Sequence, residues 1–530
     1  MLKFASPLLR SRAKDILKVS LTRANLSTSR NCYPNFNVSS TVQDFRSTWS
    51  HLPAGTRKND SEGDIVFLAG RVVAKREASK SLSFIDISDG NVHGLRKNCR
   101  LQVMAQKQTL EDSSALPQEI SRGDIIGIRG FPGKSQNGEL SIFSQELTVL
   151  APCDRPMPDT AKNTLKDHDI RFRKRYLDIM TNERSRKILI VRSNIISFLR
   201  RYLEDRGFLE VETPTLSVAA GGANARAFQT KSVAFGKDTD LYLRIAPELY
   251  LKKLIIAGLD RVFEVGKVFR NEGVDSNHNP EFTTCEFYMA YTDYKYLMSF
   301  TEELIRSLVY AINGSYKVNV AKFKNDGSVD AEALEIDFEL PFERISVIEG
   351  IEKFTNVAIP RPLDSEPTRE CLSDLIDQHG IALSHPRTTA RMLDKLIAIS
   401  IEEHITDRPT FIVDHPLVMS PLAKPHAESA DLTERFELFV NQHELCNAYS
   451  ELSNYEDQIS RFAKQAEAKE AGDAEAHTND LDFCEALAHG LPPTSGWGIG
   501  IDRLVMLLTN VTHIREVISF PTVRPPSTEL

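Results

Sequence analysis

The chain has 530 residues, too many for one ordinary core, so two or three domains are expected. Its 41% hydrophobic and 26% charged residues exclude a disordered or fibrous chain, and no run approaches the roughly 18 consecutive apolar residues of a membrane span. A formal charge of −8 means that any nucleic-acid partner must be met by a local basic surface.

The first thirty residues depart from this average. Lys3, Arg10, Arg12, Lys14, Lys18, Arg23 and Arg30 stand against one acid, Asp15, and the segment ends in LSTSR. It resembles a mitochondrial transit peptide over 1–30, which predicts the mitochondrial matrix; a basic arm that touches RNA is the competing reading. Without its net +6 the formal charge falls to about −14. An N-terminal extension follows over 31–61. The cysteines at 32, 99, 153, 285, 371, 446 and 484 form no CxxC pair, which argues against a zinc site or a disulfide framework and for a reducing compartment.

From 62 to 150, DIVFLAGRVVAKRE, LSFIDISDGN, NCRLQVMAQ, DIIGIRGFPG and ELSIFSQELTVL alternate apolar and polar residues between turns, with a helix possible only near 106–120. Five such strands predict a small antiparallel barrel. The Pro- and Asp-rich APCDRPMPDT opens a linker over 151–184. Beyond it, over 185–530, helical patterns at 185–206 and 296–311 mix with strands, which predicts an α+β domain on an antiparallel sheet with flanking helices.

VFRNEGVDSNHNPEFTTCEFYMAY, 268–291, reads as a long hairpin, with strands over 262–269 and 282–291 and turn chemistry between. Its polar residues stand at the strand ends, where a scaffold holds side chains against a ligand. Two apparent phosphate or dinucleotide motifs fail. GFPGKS around Lys134 has five residues between Gly127 and Gly133, and a strand follows it; GWGIG at 496–500 has Ile501 where a third glycine is needed.

RRYLEDRGFLEVETPTL (200–216), the hairpin, and SGWGIGIDRLVMLLTN (495–510) resemble, in order and spacing, motifs 1, 2 and 3 of class II aminoacyl-tRNA synthetases. RYLD (175–178), AGGANARAF (220–228), LRIAPELYLKKL (243–254), HNPEFT, CEFYMAY and HELCNAYSEL (443–452) are similar to the lysyl-tRNA synthetase family of subclass IIb, over nearly the whole chain after residue 60. The resemblance implies an N-terminal OB-fold anticodon-binding barrel, a class II catalytic domain, ATP as substrate, Mg2+ as cofactor, tRNA(Lys) as partner and a homodimer built on motif 1. The reaction implied is attack of the lysine carboxylate on the α-phosphorus of ATP, then transfer of the lysyl group to the tRNA 3′ end.

By the same resemblance, Arg270 and Arg503 are the catalytic pair. Arg270 bridges the α-phosphate and the lysine carboxylate, two anions that need a guanidinium between them; a surface ion pair with Glu272 is the alternative. Phe282 and Arg503 sandwich the adenine, a stack worth about 1–2 kcal/mol. Glu272 accepts from the adenine amino group, and His278 and Asn279 lie near the phosphates, although Asn279 before Pro280 also suits a plain turn. Glu437 contacts ATP and holds metal together with Glu444. The two acids lie symmetrically about Val440 and Asn441, so a tight hairpin is expected to set them opposite each other, unfavourable unless a cation intervenes; two solvated acids is the alternative.

For lysine, the resemblance assigns Glu451 and Tyr288 to the ε-ammonium, Glu248, Glu286 and the Gly222 backbone to the α-ammonium, Asn447 to the carboxylate, and Tyr449 to the pocket wall. Asn447, Tyr449 and Glu451 share a strand face, so Glu444 joins them only if a bulge falls near Leu445 or Cys446. In the barrel, Phe84 stacks on the central anticodon base, Gln102 and Glu139 bond to base edges, and Arg71, Lys75 and Arg76 follow the backbone; Phe84 as a core residue is the alternative, and NVHGLRKN is an insertion. Three rivals are an aspartyl- or asparaginyl-tRNA synthetase, argued against by the pocket acids, an inactive RNA-binding paralogue, argued against by Arg270 and Arg503, and a ligase acting on a protein, argued against by the barrel.

Overall fold

In the computed structural model the described residues are 34–524, apart from 59–63, 91–99, 112–116, 156, 159–164, 166, 220, 224, 235, 237–238, 324–328, 384 and 471–479. The segment 1–30 and the NVHGLRKN insertion lie outside them. The chain divides into two units, Met1–Lys166 and Asp167–Leu530.

In the first unit the period-2 alternation produces β1 (Val66–Ser79), β2 (Leu82–Ser88), β3 (Arg100–Gln106), β4 (Ile125–Lys134) and β5 (Leu140–Ala151). They close into a barrel in the order β1-β2-β3-β5-β4, with β3 and β5 parallel, and closure leaves no free sheet edge. Val72, Ile85, Ile87, Val103, Ile126 and Ile142 fill the interior. Helix α1 (Val42–Trp49), capped by the Thr41 side chain, adds Val42 and Phe45 to that core. The helix considered near 106–120 is not formed among the described residues: Gln106 stays in β3, paired with Leu82, and Pro117–Glu119 is one 3-10 turn.

The second unit starts at Asp167, inside the linker drawn over 151–184. Residues 168–181 form α2 (His168–Arg173) and α3 (Arg175–Thr181). The cause is the buried Asp178, which binds Arg171 at 2.9 Å and also pairs with Arg175, while Asp167 caps α2. Asn182 caps α4 (Glu183–Glu204), whose Ile188, Val191, Ile195, Leu199 and Tyr202 form one apolar stripe.

An eight-stranded sheet carries this unit, in the order β9-β10-β11-β12-β13-β8-β7-β6. Its strands are β6 (Leu209–Glu210), β7 (Arg261–Phe269), β8 (Glu281–Ala290), β9 (Glu343–Ser346), β10 (Thr410–Val413), β11 (Arg435–Val440), β12 (His443–Ser450) and β13 (Thr494–Gly500). Pairing is antiparallel except at the edges, where β6 and β9 run parallel to their neighbours. Helices α4, α6 (Tyr294–Asn313) and α12 (Ile501–Thr509) bury one face, where Trp497 stacks on Phe287 with centroids 4.9 Å apart. Helix α5 (Glu248–Ile256) packs against β7 and β8. Helices α7 (Val347–Thr355), α8 (Glu366–Gln378) and α9 (Thr389–Ser400) share a separate core, and α10 (Tyr455–Glu470) and α11 (Leu481–Ala488) lead to β13. Among the described residues no helix is long and apolar enough to cross a membrane.

One buried carboxylate ties this face together. Asp502, in the first turn of α12, accepts from Arg192 of α4 at 2.7 Å and from the Thr283 amide of β8 at 2.7 Å. Replacing Asp502 by alanine leaves a guanidinium and an amide without their acceptor, so Asp502→Ala is expected to cost about 3–5 kcal/mol in urea unfolding. A loss below about 1 kcal/mol would mean that this tie is not structural.

Candidate active site

The other face of the sheet holds a cavity of about 400 Å³. Its floor follows from strand alternation. Thr284, Glu286 and Tyr288 of β8 stand opposite Gly500, Gly498 and Gly496 of β13, and the last two glycines stand opposite Asn447 and Tyr449 of β12. Two rows result, Glu286–Gly498–Asn447 and Tyr288–Gly496–Tyr449. In each, side chains two strands apart, about 9–10 Å, face each other across a glycine that fills nothing. A Cβ on Gly496 would lie 2.3 Å from Glu451 Oε1 and 2.5 Å from Tyr288 Cε1, and one on Gly498 would lie 3.2 Å from Glu286 Cγ. The glycines of β13 thus make the pocket.

Acids crowd one end. Glu248, the first residue of α5, accepts at Oε1 from Lys252 Nζ at 2.7 Å and from the Tyr449 hydroxyl at 2.7 Å. Glu451 accepts from the same Nζ at 2.8 Å through Oε2, and its buried Oε1 has no partner. Burial pushes the Glu286 carboxyl up to about 8, helped by Glu248 and opposed by Arg270. Burial also raises the Glu451 carboxyl, with Lys252 opposing. Gly222, at φ +91°, lies against Glu248 and Ala246, with 3.2 and 3.3 Å to a built Cβ, so the chain passes close to Glu248 only because no side chain is there.

At the other end, Arg270 lies 5.2 Å from the centre of the Phe282 ring, and its buried Nε has no partner. Arg503, in the first turn of α12, donates to the Glu444 carbonyl and carboxylate at 3.0 and 3.2 Å and meets His278 Nε2 at 3.1 Å. Asp275, a residue the sequence reading passed over, fixes the other His278 nitrogen at 2.9 Å. Asn279 donates to the Glu281 carbonyl, leaving its buried Oδ1 unpartnered. Glu272 lines the rim and is exposed.

The acid hairpin differs from the expected one. Asn441 and Gln442, at φ 49° and 65°, form a two-residue turn, so Val440 faces His443 and the turn centre falls one residue later than symmetry about Val440 and Asn441 implies. The register then shifts between Leu438 and Phe439, and Leu445 is the extra residue. Glu437 therefore faces Asn447 and Glu444 faces Phe439; the two acids are not opposite each other. The shift is the bulge the pocket required, and Glu437, Glu444, Asn447 and Tyr449 all line the cavity. Each acid already has an arginine: Glu437 takes Arg435 at 2.6 Å, and Glu444 takes Arg503. Arg435, also bonded to Asn447 at 3.1 Å, was not anticipated. Among the described residues no group of three or more His, Cys, Asp or Glu side chains could hold a metal ion. Two carboxylates still fit Mg2+ as a donor set, because that ion commonly takes one or two protein oxygens and fills its shell with phosphate and water.

On the barrel, Ile85 and Ile87 point inward while Phe84, one residue before Ile85, is on the outer face, so Phe84 is not a core residue. It faces Arg76 on one side and Met104 on the other, and Arg76 lies 6.0 Å from its ring centre. Gln102 accepts from Ser141 at 3.0 Å, and Ser141 also donates to the Glu139 carbonyl, which brings those two positions together. Arg71 donates to the Gly123 carbonyl and Lys75 to that of Ile120, so both bases are partly engaged within the barrel.

Comparison with known proteins agrees with this architecture. Residues 167–524 match the family described as tRNA synthetases class II (D, K and N), and residues 66–150 match the OB-fold nucleic acid binding domain. The chain is 43% identical over 510 residues to a protein of Encephalitozoon cuniculi named "Probable lysine--tRNA ligase, cytoplasmic", covering 96% of each. It is 42% identical to "Lysine--tRNA ligase cla4" of Cladosporium cladosporioides, covering 97% of this chain and 85% of that one. With "Lysine--tRNA ligase" of Thermotoga maritima it shares 40% identity, covering 94% and 93%.

The raised Glu286 carboxyl has a consequence for stability. Its folded-state value near 8, against the usual 4.5, means the folded protein favours the neutral form. Stability from this group is complete below about 4.5 and is lost as pH rises through about 8. Glu286→Gln removes that dependence, so its advantage over the wild type in urea unfolding should be smallest at pH 5 and grow by about 1–3 kcal/mol by pH 8. A difference that stays flat with pH would show that Glu286 is ionised throughout.

Proposed function

We propose that this chain, which belongs to the class II tRNA synthetases of the D, K and N group, is a lysine–tRNA ligase that forms lysyl-adenylate from lysine and ATP and passes the lysyl group to tRNA(Lys). One observation carries the choice of amino acid: Glu248, Glu286 and Glu451 converge on the gap over Gly496 and Gly498, and one Glu451 oxygen is buried without a partner. An aliphatic ammonium entering that gap supplies the missing donors, with Glu451 and Tyr288 at its far end and Glu248, Glu286 and the Gly222 backbone at the α-ammonium. An aspartate side chain would instead meet a carboxylate, a like-charge clash worth several kcal/mol.

Little covalent chemistry is asked of the side chains. Arg270, with a free buried Nε, draws the lysine carboxylate to the α-phosphate, and Asn447 orients that carboxylate. The attacking oxygen forms a bond to phosphorus as the bond to pyrophosphate breaks. Phe282 and Arg503 hold the adenine between them, and Glu272 accepts from its amino group. His278, held by Asp275, and Asn279 lie on the phosphate side. Glu437 and Glu444 would hold Mg2+, which when bound offsets charge on the leaving pyrophosphate.

The outer face of the barrel, with Phe84, Arg76 and Gln102, suits unstacked anticodon bases. A symmetric dimer through α4 and the segment after it is part of the proposal; it would cover Leu209, Leu216 and Val218, which are exposed in the single chain. So is a mitochondrial site of action, on the basic, acid-poor character of residues 1–30.

Amino-acid-dependent ATP–pyrophosphate exchange tests the reaction: exchange is expected with lysine and not with aspartate or asparagine. Glu451→Gln should abolish it while leaving ATP binding within about twofold; equal loss of both would remove Glu451 from the lysine site. Residues 1–30 fused to a fluorescent reporter should carry it into isolated mitochondria. Failure to do so, with retention of RNA by the same segment, would favour the basic-arm reading.

A further inference from the structure

The reading of the amino-acid pocket leaves one buried ion unexplained. Lys252 follows Glu248 by one turn of α5, its side chain is 0% exposed, and its ammonium sits between Glu248 and Glu451 at 2.7 and 2.8 Å. Phe483 of α11 closes the remaining side, with its ring centre 5.0 Å from Nζ. This is the place where a pocket selecting a cationic side chain would be expected to hold only acids. Burial works against charge on this amine, but Glu248 and Glu451 outweigh it and keep Lys252 protonated.

We propose that Lys252 is a resident counter-cation of the amino-acid pocket, and that it sets the pocket's selectivity by fixing its charge deficit and by turning one Glu451 oxygen toward the substrate. The inference rests on the lysine reading above. Once a bound cation draws off their protons, the three carboxylates of Glu248, Glu286 and Glu451 with one internal ammonium lack two positive charges, and free lysine brings two ammonium groups. Lys252 occupies Oε2 of Glu451, so Oε1 is left for the ligand, facing the space over Gly496. Glu248 is held likewise from below by Lys252 and from the side by Tyr449. Lys252 touches acids and not the reacting atoms, so it is a positioning residue.

The groups around this ammonium come from every packed element. Glu248 is on α5, Glu451 follows β12, Tyr449 bonds to Glu248, Glu286 and Tyr288 are on β8, and Cys484 joins Phe483 on α11 in the same apolar cluster. The neighbouring Lys253 points away and pairs with Asp482. Without Lys252, Glu451 loses the cation that opposes its burial, so the clustered carboxyls give up their protons only at higher pH. Lysine recognition, which needs ionised carboxylates, then needs a higher pH, whereas ATP recognition, which uses none of these groups, does not.

The full chain carrying Lys252→Met, and separately Lys252→Gln, which keeps a hydrogen-bond donor without the charge, would be assayed by ATP–pyrophosphate exchange from pH 6.5 to 9. Circular dichroism and thermal unfolding would establish that each variant is folded. The expected result is a rise in KM for lysine of roughly 30-fold or more at pH 7, KM for ATP within twofold, and a shift of the rising limb of kcat/KM for lysine to higher pH in both variants. Folded variants with unchanged KM for lysine and an unchanged limb would overturn the role of Lys252 alone. Failure of both variants to fold would equally overturn it, the ammonium then being a folding determinant. A wild-type protein that exchanges with no amino acid would instead overturn the functional reading beneath it.

Discussion

Carboxylates cannot be gathered in a low-dielectric cleft unless nearly every one has a cation or donor of its own. That constraint organises the whole second unit. Glu264 takes Arg244 and the Thr213 hydroxyl, Asp502 takes Arg192, Glu437 takes Arg435, Glu444 takes Arg503, and Glu248 and Glu451 share Lys252. The pairs Arg192–Asp502, Arg503–Glu444 and Lys252–Glu451 join elements far apart in sequence, so meeting the electrostatic demand there also fixes the tertiary arrangement. The exceptions mark the ligand. Glu286 borders the cavity without a cation of its own, one oxygen of Glu451 lies unpartnered beside Gly496, and Arg270 borders the cavity with a nitrogen unsatisfied. A site so built is short of positive charge at one end and of an acceptor at the other.

The backbone frame for this chemistry was legible in the sequence. The long hairpin, expected over 262–269 and 282–291, forms as Arg261–Phe269 and Glu281–Ala290, because aromatic and β-branched strands flank a turn of Asn, Asp and Gly. The helices expected at 185–206 and 296–311 form within two residues of those bounds, each opened by an Asn or Asp cap. The bulge at Leu445 followed from an inconsistency, since plain alternation could not bring Glu444 and Asn447 into one pocket. Its register did not follow, because the turn centre depends on Asn441 and Gln442 both adopting left-handed conformations, which few residue pairs announce.

What sequence could not supply was burial brought about by distant parts of the chain. Lys252 stands four residues after Glu248, and that spacing alone suggests an ordinary surface pair on a helix. Only α11 and the end of β12 turn it into an interior ion. Arg435 escaped for a similar reason, since its contact with Asn447 exists only once β11 and β12 are paired, whereas Asp275 acts within its own turn, three residues before His278. Residues 168–181 were read as linker because their order comes from one buried aspartate and two arginines rather than from an apolar period.

The glycine rows of β13 also bear on how such a site can change over generations. The room over Gly496 and Gly498 exists because side chains are missing there, so drift at either position works in one direction. Every other residue narrows the gap, and none widens it. A descendant that accepted a bulkier amino acid would have to withdraw side chains on the facing rim, Met419 to Ala423, which belongs to a connecting segment rather than to the sheet. The upper limit on substrate size is thus written into the rigid frame, and any enlargement is left to the part of the wall that tolerates insertion.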